Sequence, residues 1–177
     1  MDIEELQLIT KALAFSSQKH RDQRRKDPDA SPYINHPISL VDILVNEGEV
    51  TNFKAIVGAI LHDTIEDTET TGEEIESEFG RVIRQIVEDV TDDKSLDKMA
   101  RKRMQIEHAP HICHEAKLVK LADKISNLRD VANCPPAQWS LQRRKEYFDW
   151  AKQVIDGLRG VHPKLEAVFD QTYTLKP

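Results

Sequence analysis

Residues 61–67 read LHDTIED, and they continue a stretch in which Phe53, Ile56, Val57, Ile60 and Leu61 recur at helical spacing. The pattern predicts a buried helix over residues 53–66, with Asn52 as its cap. Yet four of the six positions after Leu61 are His62, Asp63, Glu66 and Asp67. A helix turns about 100° per residue, so with His62 at zero, Glu66, Asp63 and Asp67 fall near about 40°, 100° and 140°. All four share one arc, while Leu61 and Ile65 point to the core. The arc is either a solvated helix end or a site that needs imidazole and carboxylates, because a buried charge is costly unless it is paired or bound to a metal. Acids at a helix C-terminus also oppose the macrodipole. A cation or a reaction at this point would offset that cost.

The rest of the chain reads as helix around this one. Further helices are expected over 3–20, from Pro37 onward, and over 72–79, 81–90, 96–108, 115–131, 141–158 and 163–172. Ile38, Val41, Leu44 and Val45 form the inner face of the second. Thr71 and Glu74 make a capping box for the helix over 72–79, and Gly80 closes it. With only 6 glycines and 32% charged residues, and with no alternating apolar pattern, the chain reads as all-α. Its 177 residues suit a single domain over 1–177. The net charge of −6 argues against a general nucleic-acid binder, which is usually basic. No apolar run approaches the ~18 residues of a membrane span, and MDIEELQLIT lacks the basic start of a signal peptide. Cys113 and Cys134 match no metal or redox spacing. These features predict a reducing, cytoplasmic setting.

Partners for the acidic arc lie far off in the sequence. His36 sits in YINHP, before a helix and among prolines. Asp123 sits in LVKLADKISNL, on an otherwise apolar helix. Each has a plain reading alone, His36 as a cap or core histidine and Asp123 as a salt-bridge partner of Lys120 or Lys124. Together with His62 and Asp63 they offer two imidazoles and two carboxylates, a set that suits Mn²⁺, Fe²⁺ or Zn²⁺.

These motifs bring a known family into view. The order H…HD…D resembles the HD-domain metal-dependent phosphohydrolases. PYINHPISLVDIL, AILHDTIEDTETTGEEIESEFG and KLVKLADKISNLRDV are similar to the hydrolase domain of the Rel/Spo (p)ppGpp enzymes. QRRKDPDASPY and VTDDKSLDKMARKRMQIEHAP resemble the stand-alone metazoan SpoT homologues. The likeness covers roughly residues 5–155. It implies an all-α bundle holding one Mn²⁺, with Zn²⁺ or Fe²⁺ as alternatives, through His36, His62, Asp63 and Asp123. It implies Glu66 and Asp67 as the pair that orients and deprotonates the attacking water, with both left free to face substrate. The implied reaction is hydrolysis of ppGpp at its 3′-diphosphate to GDP and pyrophosphate. The alternatives are a phosphatase on another nucleotide such as NADPH, or a nucleotide sensor without turnover. The chain departs from bacterial relatives in having no room for a synthetase domain, and in carrying Ser126 for a bulkier residue and Asp130 for Thr.

A strongly anionic nucleotide needs local bases in an acidic protein. RDQRRK supplies Arg21, Arg24, Arg25 and Lys26 just before His36. The resemblance assigns nucleotide contact to Arg25 and Lys26, where an arginine plane can stack on a purine and a lysine can hold phosphate. Asn127 lies one turn after Asp123 and faces the same side. In the family it touches the nucleotide. Tyr33 reads as a pocket wall. Arg101, Lys102 and Arg103 read first as a solvated face, and Trp139 as core. His108, His111 and His114 are evenly spaced, but Pro110 interrupts a shared helical face.

Overall fold

The computed structural model describes residues 2–27 and 29–177. Among these, ten α-helical segments and no strand appear: α1 (Ile3–Lys19), α2 (Asn35–Asp42), α3 (Phe53–Leu61), α4 (Thr64–Asp67), α5 (Gly72–Phe79), α6 (Arg81–Val90), α7 (Lys98–His108), α8 (His114–Asn133), α9 (Leu141–Asp156) and α10 (Pro163–Tyr173). None of them is long and apolar enough to cross a membrane.

Local chemistry sets several of the starts. Asp2 and Glu5 form a reciprocal capping box on α1. Asn52 accepts from the Lys54 and Ala55 amides at the head of α3. Thr71 accepts from the Glu74 amide at the head of α5, and Gly80, at φ +87°, makes the turn into α6.

α3 and α8 are the centre of the bundle. Residues 55–61 of α3 are all buried. α3 packs against α1, α2, α6 and α8, and α8 in turn meets α2, α6, α9 and α10. The α3–α6 crossing is close because residue 58 is glycine. A Cβ at Gly58 would come 2.5 Å from Ile86 Cγ2.

Three expectations need correction. The helix expected over 53–66 is two segments, interrupted at His62 and Asp63. Side chains take the carbonyls released at the end of α3: the His62 ring Nδ1 meets Ala59 O at 2.8 Å, and Thr64 Oγ1 donates to Leu61 O at 2.6 Å. The continuous 100° projection therefore fails beyond Leu61. The second helix begins at Asn35, before Pro37, and runs into a π-helical turn over Ile43–Glu47. The inner face runs through Leu40, Ile43 and Leu44, which are buried at helical spacing, while Ile38 and Val45 are exposed. Finally, α7 starts at Lys98 rather than residue 96, because Asp97 caps it through the Met99 and Ala100 amides.

Candidate metal centre and active site

The interruption after α3 turns His62 toward the start of α2 and the middle of α8. There, one ligand atom each from His36, His62 and Asp123 lies within 4.8 Å of the others. Both histidines are buried, and their ring centroids are 5.1 Å apart. His36 Nε2 sits 3.3 Å from Asp123 Oδ1, and its Nδ1 is 3.3 Å from Ser126 Oγ. Asp63 stands outside that tight trio. Its Oδ2 is 2.7 Å from His62 Nε2 and also accepts from the Tyr33 hydroxyl.

His62 shows why this cluster suits a cation. Its Nδ1 faces the Ala59 carbonyl, so in the neutral ring that nitrogen carries the proton and Nε2 offers its lone pair, which either a proton or a metal ion can take. Nε2 is buried without a hydrogen-bond partner, although a carboxylate oxygen lies beside it. A lone pair against a carboxylate is repulsive unless positive charge comes between them. Burial would push the His62 imidazole down, but Asp63 and Asp123 outweigh burial and push it up to about 9. For His36 burial wins over Asp123, and the imidazole is lowered. Burial opposes ionisation of Asp63 and Asp123, yet His62 and His36 around the first and Lys124 and His36 around the second hold both below the usual carboxylate range. An unpaired nitrogen, a second imidazole and carboxylates form an N/O donor set fitted to a divalent ion.

These groups line a cavity of 240 Å³. Arg25, Tyr33, Glu66, Asp67 and Asn127 line it too. Burial, more than neighbouring Asp92, Asp63 and Asp67, pushes the Glu66 carboxyl up to about 7, against the pull of the Asp92 amide that donates to Oε2 at 3.0 Å. Asp67 is ion-paired with Lys94 and lies 3.4 Å from the Tyr33 hydroxyl. The acidic pair faces the cavity while the Asp92 amide, Lys94 and the Tyr33 phenol hold it. Tyr33 has its hydroxyl on Asp63 and its ring stacked on His20 at 4.8 Å, so it steadies Asp63 beside the histidines besides walling the pocket. Asn127 donates to Asp123 Oδ1 at 2.6 Å.

The cavity adjoins a cleft of 660 Å³, with Arg25, Tyr33, His36 and Asn127 common to both. Lys26 lines only this outer cleft, and Trp139 forms part of its wall. Trp139, expected as core, is half-buried: it packs against the core and carries the Arg143 guanidinium 4.3 Å over its ring. Arg25 pairs with Asp130 across the cleft and lies 5.8 Å over Tyr33. The structure thus gathers all ten expected site residues around two connected spaces. Asp123 keeps its plain role as well, pairing with Lys124 at 2.9 Å.

The sequence offered Lys120 and Lys124 only as ion-pair partners of Asp123; the structure buries both against the cavity, which Tyr147 lines as well. Sequence reasoning missed Asp92, Gln105 and Trp150 on the cavity wall, and Lys94, which reaches it through Asp67. Lys102 lies 4.7 Å over the Trp150 ring, so it is not merely a solvated base. Among the described residues, no metal-like grouping includes His108, His111 or His114.

Residues 12–148 match the profile of the family described as HD domain. Guanosine-3′,5′-bis(diphosphate) 3′-pyrophosphohydrolase MESH1 of Danio rerio is 54% identical over 166 residues, 94% of this chain and 92% of that protein. The protein of the same name from Homo sapiens is 53% identical over 166 residues, with 94% and 92% covered. A solved structure described as a metazoan ortholog of SpoT that hydrolyzes ppGpp and plays a role in starvation responses superposes with a TM-score of 0.91, at 45% identity over 94% of each chain. With a profile match over most of its length and such relatives over nearly all of it, the chain belongs to the HD domain family, among the metazoan homologues of SpoT.

Proposed function

We propose that the protein is a metal-dependent 3′-pyrophosphohydrolase that converts ppGpp and water to GDP and pyrophosphate. The observation that carries this reading is the meeting of His36, His62 and Asp123 within 4.8 Å, in one cavity with Glu66 and below a cleft edged by Arg25 and Lys26. Relatives named for this activity, matched over more than nine-tenths of their length, support it.

His36, His62, Asp63 and Asp123 would hold the ion, a divalent cation that we take as Mn²⁺ because the family resemblance implies it, the donors themselves suiting Mn²⁺, Fe²⁺ or Zn²⁺. When bound, such an ion polarises a phosphoryl oxygen and makes water more acidic. The chain's own residues do the rest. The Asp92 amide fixes Glu66 through Oε2. The other oxygen then takes a proton from the attacking water, a task that a carboxyl poised near neutrality suits. Asp67, held by Lys94 and Tyr33, orients that water. The water oxygen bonds to the phosphorus attached to O3′, and the P–O3′ bond breaks. O3′ gains a proton and leaves as the 3′-hydroxyl of GDP, and pyrophosphate carries the new oxygen away. Arg25 and Lys26 hold phosphate and base, and Asn127 steadies Asp123 beside the nucleotide.

The test is incubation of the purified protein with Mn²⁺ and ppGpp, followed by anion-exchange separation. GDP and pyrophosphate should appear in equal amounts. NADPH runs in parallel with release of free phosphate as its readout. Turnover of NADPH alone would move the assignment to a 2′-phosphate, and tight binding of ppGpp that survives overnight would make the protein a sensor.

A further inference from the structure

Two cavities in this protein share a wall. The 240 Å³ space that holds the metal cluster and a neighbouring 200 Å³ space are both lined by Asp92, Gln105 and Lys120. Lys120 lies on α8 one turn before Asp123, and is only 6% exposed. Its ammonium donates to one acceptor, the Val90 carbonyl at 3.3 Å. Among the described residues no carboxylate reaches it at ion-pair distance. Lys124, a turn further on, differs: it pairs with Asp123 at 2.9 Å and lies 4.6 Å over the Trp150 ring.

A buried ammonium has three N–H donors, and one neutral carbonyl satisfies only one of them. Burying a cation this way is costly, and an apolar side chain of similar length would fill the space at less expense. Anchoring Val90 alone is a poor return for that cost. The charges facing Lys120 are Lys124 and Asp123 on α8, Asp92 after α6 and Glu66 on α4. The second cavity adds Asp89, Asp93, Arg101 and His108 to its surroundings. Burial, aided by Lys124, depresses the ammonium to about 8. The outer cleft has bases in Arg24, Arg25 and Lys26, whereas Lys120 lines the inner space and not the outer cleft.

We propose that Lys120 is a phosphate-binding residue of this site, its unused N–H donors directed to a non-bridging oxygen of the diphosphate at the metal cluster. The inference deepens the proposed function and asks only that a phosphoryl anion enter the inner cavity. A diphosphate held there lies between two sets of bases, Arg25 and Lys26 outside and Lys120 inside. Its charge supplies the partner that the fold itself withholds from the lysine.

The experiment uses Lys120→Met and Lys120→Gln in the Mn²⁺-loaded protein, with inorganic pyrophosphate as the probe in isothermal titration calorimetry. Both variants should keep wild-type metal content. Each should bind pyrophosphate at least about tenfold more weakly, the loss expected for a charge-assisted hydrogen bond. Lys120→Arg should recover part of that loss. Wild-type affinity should fall as pH rises past about 8, where Lys120 gives up its proton, and this dependence should vanish in Lys120→Gln. A folded, metal-loaded Met or Gln variant with pyrophosphate affinity within twofold of wild type overturns the inference, as does a wild-type protein that binds no pyrophosphate. Because the probe is not turned over, Lys120-dependent binding in a protein inert toward ppGpp would sustain this inference while removing the proposed function.

Discussion

Replacing Glu66 by Gln isolates the proton-accepting step. The amide keeps an oxygen for the Asp92 N–H and nearly the same volume, so geometry survives while basicity is lost. Burial holds the Glu66 carboxyl at about 7, above the ordinary 4.5. A bound divalent ion draws it down, so the acid limb of kcat/KM in the loaded enzyme lies between these two values, falling about tenfold per pH unit below it. At pH 8 the wild type is fully ionised, and Glu66→Gln should cost 10²- to 10⁴-fold in kcat, about 3–5 kcal/mol. Metal content should be unchanged, and the acid limb should disappear.

Stability should move the other way. A carboxyl whose folded pKa is raised destabilises the ionised fold. The penalty is absent below the unfolded pKa and complete above the folded one, so it grows between pH 4.5 and 7. The full shift corresponds to about 3 kcal/mol, and partial solvent access reduces it to about 1–2 kcal/mol. In metal-free protein at pH 8, Glu66→Gln should therefore melt a few degrees higher than wild type, and at pH 4 the two should coincide. The assays are a pH–rate profile with ppGpp and thermal melts in chelator. A variant with wild-type turnover at pH 8, or one that retains the acid limb, would refute the reasoning.

Chelation should abolish ppGpp hydrolysis and lower the melting temperature, and one equivalent of Mn²⁺ should restore both; hydrolysis that persists in excess chelator would count against the cluster. Ser126→Ala removes the group 3.3 Å from His36 Nδ1 and should weaken Mn²⁺ binding roughly 10- to 100-fold, measured by competition with a metal indicator. Gly58→Val drives a side chain into Ile86 and should cost about 1–3 kcal/mol in urea melts, with metal affinity per folded molecule unchanged.

Much of this architecture was readable from residues alone, and the exceptions have definite causes. The apolar face of α3 announced itself because seven successive residues there are buried. The interruption at His62 was hidden, since no periodic template records that a ring and a hydroxyl will take the carbonyls of Ala59 and Leu61. The exposure of Ile38 and Val45 was hidden because the segment is apolar on more than one side, and Leu40, Ile43 and Leu44 take the core instead. His36, His62, Asp63 and Asp123 stood out because imidazole and acid are unusual on such elements. Lys120 and Lys124 stood out only as ion-pair partners of Asp123, because lysine normally signals a wet face; the fold buries both. The hold of the Asp92 backbone on Glu66 leaves no mark on side-chain identity at all.

The cluster's members are drawn from distant parts of the polypeptide; 90 residues separate His36 from the Ser126 that steadies it. No short fragment contains the whole set. An ion seated there would act as a tether between the first and second halves of the chain. The disordered polypeptide offers it no comparable home, so nearly all its binding energy would favour the native state. Scarcity of metal would then be felt first as shortened protein lifetime, before any shortage of catalytic power in the molecules that persist.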